Sequence, residues 1–233
     1  MLGIAFIQAE AVSGHVRPRQ AFFGGRPVTI RFDVPPQSPI DVVRARSGRR
    51  IRRLLVQPGR GRVIWDGLST HGHAAPDGRY VFRAGATRLG SVILHSHFFP
   101  VRGPHWERGP IGRFGAPRSG GRTHEGFDVV AACGTPLVAA RAGLVVRNVY
   151  DPVLYGNLLI VRGLASHRDY WYAHLARRSR FRRGARVRTG ERIGVVGATG
   201  NARTVGCHLH FEIRARGRPI DPEPALHAWD GWS

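Results

Sequence analysis

The sequence predicts an all-β chain: an N-terminal β-sandwich followed by a second, β-rich domain of antiparallel sheets. Three observations predict it. Short runs rich in β-branched and aromatic residues recur between Gly/Pro turns. Within many of them apolar and polar residues alternate, the period of a strand with one buried face. From Phe114 onward no convincing amphipathic helical pattern is found.

In chain order, residues 1–12 read either as the remnant of a signal peptide or as a first strand. Ala9-Glu10-Ala11 is an A-x-A-like site, but the basic start of a full signal is missing and the apolar run is short. Residues 13–97 make the sandwich, with strands expected over 27–34, 40–43, 53–56, 61–65 and 78–84. Trp65-Asp66-Gly67, Gly72 and Pro76-Asp77-Gly78 with Tyr80 resemble the Ig-like domain of flagellar hook-capping proteins. That resemblance implies a core tryptophan, hairpins turned at Asp-Gly, and a spacer or docking module without chemistry. His71 and His73 fall in a turn. His95-x-His97 has the spacing of a metal pair, yet no carboxylate or cysteine nearby completes a site, so it reads as an exposed polar pair. Residues 99–103 form a linker, and the second domain spans 98–222, stopped by Pro219 and Pro222. Residues 223–233 are a tail whose Trp229-Asp230-Gly231-Trp232 carries no pattern.

The length suits one large domain or two small ones. Thirty-six basic residues stand against 15 acidic, a net charge of +21, and every basic residue is an arginine. A GC-rich genome produces the same arginine skew. The resulting field attracts polyanions, either nucleic acid or anionic cell-wall polymers. The arginines are scattered, without a basic tail or a recognisable nucleic-acid module, so no specific nucleic-acid partner is expected. No run approaches the roughly 18 apolar residues of a membrane helix. The two cysteines, Cys133 and Cys207, fit one disulfide in an exported protein or two buried thiols.

The chemistry concentrates in two segments, Thr123-His124-Glu125-Gly126-Phe127-Asp128 and Gly206-Cys207-His208-Leu209-His210-Phe211-Glu212. On a strand His208 and His210 share a face while Leu209 and Phe211 turn to the core. His124 and Asp128 add a nitrogen and an oxygen. Two imidazoles and a carboxylate that leave one position free suit a catalytic zinc.

His124-x-x-x-Asp128, Gly134-Thr135-Pro136, Tyr172-Ala173-His174-Leu175, Gly197-Ala198-Thr199-Gly200-Asn201 and His208-Leu209-His210-Phe211-Glu212 stand in the order and approximate spacing of the lysostaphin-type (LytM-like) zinc endopeptidases. Roughly residues 98–222 resemble that family. The resemblance implies one Zn2+ per chain held by His124, Asp128 and His210, with His174 and His208 catalytic. It implies a secreted, wall-associated hydrolase that cuts peptide stems or crossbridges of peptidoglycan through a zinc-activated water. His208 is the expected general base, because it shares a strand face with His210; His174 is expected to orient water or stabilise the oxyanion. A non-catalytic wall-binding or amidase-activating protein on the same fold is the alternative, although such proteins typically lack metal ligands that this chain keeps.

Glu125 follows a histidine but no His-Glu-x-x-His is present, so it reads as an exposed loop residue. Glu212 reads equally as a carboxylate supporting the site or as a strand-end ion pair with an arginine. The glycine-rich 194–201 lacks a Gly-Lys-Ser/Thr ending and reads as a turn. Tyr155-Gly156-Asn157 and Trp171-Tyr172 are expected beside the groove, with Trp171 in packing. If both motifs converge on one metal, Cys133 and Cys207 are brought together and a disulfide is expected.

Overall fold

The computed structural model describes residues 12–233, so the expectation for residues 1–12 lies, apart from Val12, outside the described residues. The chain divides between Ser96 and His97 into two compact units. Both are built of strands, as the alternation predicts.

The N-terminal unit contains β1 (Ser13–Arg17), β2 (Gln20–Phe22), β3 (Val28–Val34), β4 (Ile40–Arg44), β5 (Arg50–Leu54), β6 (Gly59–Trp65), β7 (Gly78–Ala84) and β8 (Thr87–His95). One antiparallel sheet runs β1-β3-β6; the other runs β2-β8-β7-β4-β5, with a single parallel pair, β2 and β8. Alternate residues of β3 (Val28, Ile30, Phe32, Val34) and of β7 (Tyr80, Phe82, Ala84) enter one core. Trp65 is fully buried there, 4.9 Å from the Tyr80 ring, and its Nε1 donates to the Leu68 carbonyl at 2.9 Å. The strand expected over 53–56 lies instead at β5. Ile51 and Leu54 are its inward residues, and its arginines are held outward by carboxylates, Arg53 on Asp41 and Arg52 on Asp66. A pattern search for apolar runs passes over such a strand because ion pairs replace apolar neighbours on its outer face.

The second unit contains β9 (His105–Glu107), β10 (Phe127–Ala131), β11 (Pro136–Val138), β12 (Gly143–Asp151), β13 (Gly156–Gly163), β14 (Arg168–Leu175), β15 (Arg186–Val187), β16 (Arg192–Val195), β17 (His208–Ala215), β18 (Arg218–Ile220) and one helix, α1 (Glu223–Asp230). The main sheet is antiparallel in the order β15-β12-β13-β14-β17-β10-β9, with β18 beside β17; β11 pairs with β16 separately. Tyr170 and Tyr172 of β14, Phe127 and Val129 of β10, and Leu209, Phe211 and Ile213 of β17 cover one face of the sheet. Leu226 and Trp229 of α1 join the same core.

Two expectations are corrected here. The segment after residue 222 is not patternless, because Leu226 and Trp229, three apart, are one buried helix stripe. His97 is not an exposed strand residue: it is buried, stacked on Trp229 at 4.2 Å, with Nε2 2.7 Å from the Tyr170 hydroxyl. An aromatic neighbour and a phenol hydroxyl partner it.

Candidate active site

The face of the main sheet opposite this core carries the candidate site. Along β17 the odd residues 209, 211 and 213 enter the core, so His208, His210, Glu212 and Arg214 fall on the other side. In β10 Phe127 and Val129 enter the core, which turns Asp128 outward, directly opposite His210 in the ladder. His124 lies in the loop before β10. Gly126, between them, has no room for a side chain: a Cβ there would stand 2.5 Å from the Phe211 carbonyl oxygen and 2.8 Å from His210 Cε1.

Three donor atoms converge. His124 Nε2 and His210 Nδ1 are 2.8 Å apart, and Asp128 Oδ1 lies 3.1 Å from the first and 3.0 Å from the second. All three residues are buried. Each is oriented by a second contact. His124 Nδ1 donates to the Arg113 carbonyl at 2.9 Å, His210 Nε2 donates to Glu212 at 2.9 Å, and Asp128 Oδ2 accepts from Arg108 at 3.1 Å. Arg118 stands 3.9 Å from the same oxygen.

His174 and His208 complete the site, their rings 4.7 Å apart. His174 Nδ1 donates to the Thr199 carbonyl at 2.8 Å and His208 Nδ1 to the Gly206 carbonyl at 2.9 Å. A carbonyl only accepts, so both rings carry their proton on Nδ1 and keep the Nε2 lone pair free. His208 Nε2 lies 3.8 Å from Asp128 Oδ1. Burial, reinforced by His208 and His210, pushes His174 down to about 3; burial also lowers His208, against the pull of Asp128. Both are neutral at physiological pH.

His210 goes the other way. Burial would lower it, but Asp128 on one nitrogen and Glu212 on the other push it up to about 9. Asp128 is held far below the usual carboxylate range: burial opposes this, and the bonds from His124 and His210 overcome it. His210 thus lies between two carboxylates, Asp128 at 3.0 Å and Glu212 at 2.9 Å.

His124, Asp128 and His210 are one of two groups among the described residues whose donor atoms can share a metal ion. Two imidazoles and a carboxylate, with two facing nitrogens that otherwise have to share a proton, are a donor set that fits zinc. The second group, Glu107, Glu223 and His227, is more exposed and already paired with Arg113.

The donors lie in a groove of about 690 Å³ that is also lined by Ile111, Leu154, Tyr155, Asn201 and Val205. Tyr155 lines it as expected and Trp171 packs beside Tyr155, but Tyr172, also expected there, is fully buried in the core of the opposite face. The turn through Thr199 and Gly200 meets the chain at Gly156, where a Cβ would stand 2.2 Å from Thr199 Oγ1. Cys133 and Cys207 form a disulfide with Cα atoms 5.3 Å apart. Glu125 is half-exposed yet held by Arg214, and Glu212 meets both readings at once, accepting from His210 and from Arg214.

Residues 122–222 match the model of peptidase family M23. Two sequence relatives each match less than half of the chain. The chain is 37% identical over 115 residues to a lipoprotein NlpD/LppB homolog of Pseudomonas aeruginosa, across 48% of this chain and 35% of that protein. It is 38% identical over 101 residues to the peptidoglycan DD-endopeptidase ShyC of Vibrio cholerae, across 43% of this chain and 22% of that one. The chain thus spans about a third or less of these relatives. Among solved structures, the catalytic domain of lysostaphin from Staphylococcus simulans aligns at a TM-score of 0.45 and 28% identity, over 50% of this chain and 89% of that one.

Arg108, Arg118 and Arg214 were not singled out in the sequence. Arg214 was within reach of the pattern, since it extends the alternation His208, His210, Glu212 by one step. Arg108 and Arg118 had no such signal, because they arrive from loops.

Proposed function

We propose that the chain is an exported zinc metalloendopeptidase that hydrolyses peptide bonds in bacterial peptidoglycan. The observation that carries this reading is the convergence of His124 Nε2, His210 Nδ1 and Asp128 Oδ1 within 3.1 Å, beside two neutral histidines that offer free Nε2 atoms. Zinc held by these three donors supplies a Lewis acid that polarises the scissile carbonyl and activates water. His208, with Nε2 3.8 Å from Asp128 Oδ1, accepts the proton of the attacking water. His174, held on the Thr199 carbonyl, offers its Nε2 lone pair to accept a hydrogen bond from that water and orient it; the oxyanion role would need a proton on Nε2 that its burial disfavours. Arg108 and Arg118 balance Asp128 and keep its Oδ1 turned to the donors. Ile111, Leu154 and Val205 give the groove walls apolar surface for a peptide.

The peptidoglycan substrate is supported by the M23 match and by ShyC, described as a peptidoglycan DD-endopeptidase. Export is supported by the disulfide and by the lipoprotein relative. The Ig-like N-terminal unit serves as a spacer or docking module, and the cationic surface adds affinity for anionic wall polymers. A non-catalytic wall-binding or amidase-activating role fits less well, since every residue the chemistry requires is present. Metal analysis combined with mass spectrometry of fragments released from purified sacculi tests the proposal. The expected result is about one zinc per chain and release of peptide-cleaved muropeptides. Zinc-replete, folded protein that releases none would overturn it.

A further inference from the structure

We propose that Arg214 is a positioning residue that couples the two segments bearing the histidine donors: it holds Glu125, the neighbour of His124, and Glu212, the carboxylate that orients His210. This rests on the zinc reading above.

Glu212 is the buried end of this link. Its side chain has no solvent exposure, so each oxygen needs a partner inside the protein. One oxygen accepts from His210 Nε2 at 2.9 Å and the other from Arg214 Nε at 2.6 Å. Glu212 thereby keeps the His210 proton on Nε2 and leaves Nδ1 for the cation.

Arg214 uses its fork for a second task. While Nε holds Glu212, a terminal nitrogen bonds Glu125. The guanidinium lies 4.1 Å above the Trp171 ring, and Trp171 sits directly across the ladder from Glu212. The guanidinium plane is thus set by an aromatic platform and by two carboxylates from different segments. Glu125 is covalently next to His124. One side chain therefore ties the His124 loop to the strand bearing His210, and the missing Cβ at Gly126 lets the two close. A lysine keeps the charge but neither the fork nor the flat stacking surface.

The test measures zinc affinity by chelator competition on the whole chain, together with the visible spectrum of the cobalt(II)-substituted protein. Arg214→Gln and Glu212→Gln are each expected to weaken zinc binding by about 10- to 100-fold and to alter the cobalt spectrum, because the donors lose their orientation. Arg214→Lys should recover only part of the affinity. Glu125→Gln should weaken binding by a smaller factor in the wild-type background and have no effect in the Arg214→Gln background, which is the signature of coupling through Arg214. Arg218→Gln, on an exposed strand, should change nothing. If Arg214→Gln fails to fold, Arg214→Lys serves as the background, in which the effect of Glu125→Gln should shrink; an undiminished effect there overturns the coupling. Unchanged zinc affinity and cobalt spectrum in these variants, beside a zinc-binding wild type, overturn the coupling alone. Equal weakening by Glu125→Gln in both backgrounds overturns it as well. A wild-type chain that takes up no zinc overturns the zinc reading and the coupling together.

Discussion

Asp128 and His210 stand directly opposite each other across the ladder between β10 and β17, with Oδ1 3.0 Å from Nδ1, although 82 residues separate them. The donor set is therefore a consequence of strand register. A slip of one residue would bring Asp128 opposite a core residue and abolish the site.

Removing donors and removing bases should have different effects. His210→Ala is expected to lose zinc and peptidase activity together, whereas His208→Ala should retain zinc and lose turnover by roughly 10²- to 10⁴-fold, since it deletes a proton acceptor. Metal content measured beside kcat separates the two. Equal zinc loss in both variants would reassign His208 as a ligand.

The disulfide should matter for stability. It closes a separation of 74 residues, so replacing Cys133 and Cys207 by alanine should cost on the order of 4 kcal/mol in the chain-entropy description. Denaturant unfolding of the variant against the oxidised parent measures this. A midpoint that does not move would show that the bond constrains little.

Acid should destabilise the second unit through His97. Burial chiefly, with Arg141 and Arg168, pushes this imidazole down to about 3 from 6.5. The unfolded chain therefore binds a proton that the folded chain refuses. Its contribution is complete above pH 6.5 and is lost as pH falls from there toward 3, by at most about 1.4 kcal/mol per pH unit. His97→Gln, which can still reach the Tyr170 hydroxyl, should show a flatter stability profile over that window. Parallel profiles would mean His97 titrates normally.

Wall binding should fall as salt rises. On the β1-β3-β6 sheet, exposed His15, Arg31 and Arg62 stand in one row across the three strands, Arg31 directly opposite Arg62. The facing arginines, Arg31 and Arg62, disfavour the sheet unless an anion bridges them. Sacculus pulldown should weaken between 0.1 M and 1 M salt, as the Debye length drops from about 10 Å to about 3 Å, while turnover of a small neutral peptide changes little. Arg31→Gln with Arg62→Gln should flatten the salt dependence. A salt-independent pulldown would assign wall recognition to specific contacts and leave the arginine excess as compositional.

The sequence by itself determined the strand-rich architecture and the division of β17 into a core face and a polar face, and it named His124, Asp128, His174, His208 and His210, which the fold brings together. Alternation in a strand is a local rule, so the separation of His208 and His210 from Leu209 and Phe211 was visible without any partner. His174 was different. Tyr170 and Tyr172 enter the core, so alternation alone sends His174 there too. Instead its backbone turns left-handed, with φ of 60°, beside an irregular register against β13, and Leu175 takes the core position. Such a conformation is unfavourable for a residue with a Cβ and persists because the surrounding strands hold it. Only the tertiary structure decided this, along with the arginines on Asp128, the link from Glu125 through Arg214 to Glu212, and the burial of His97 against Trp229. Each depends on segments distant in sequence meeting at a given register, and no spacing along the chain encodes which loop will meet which strand.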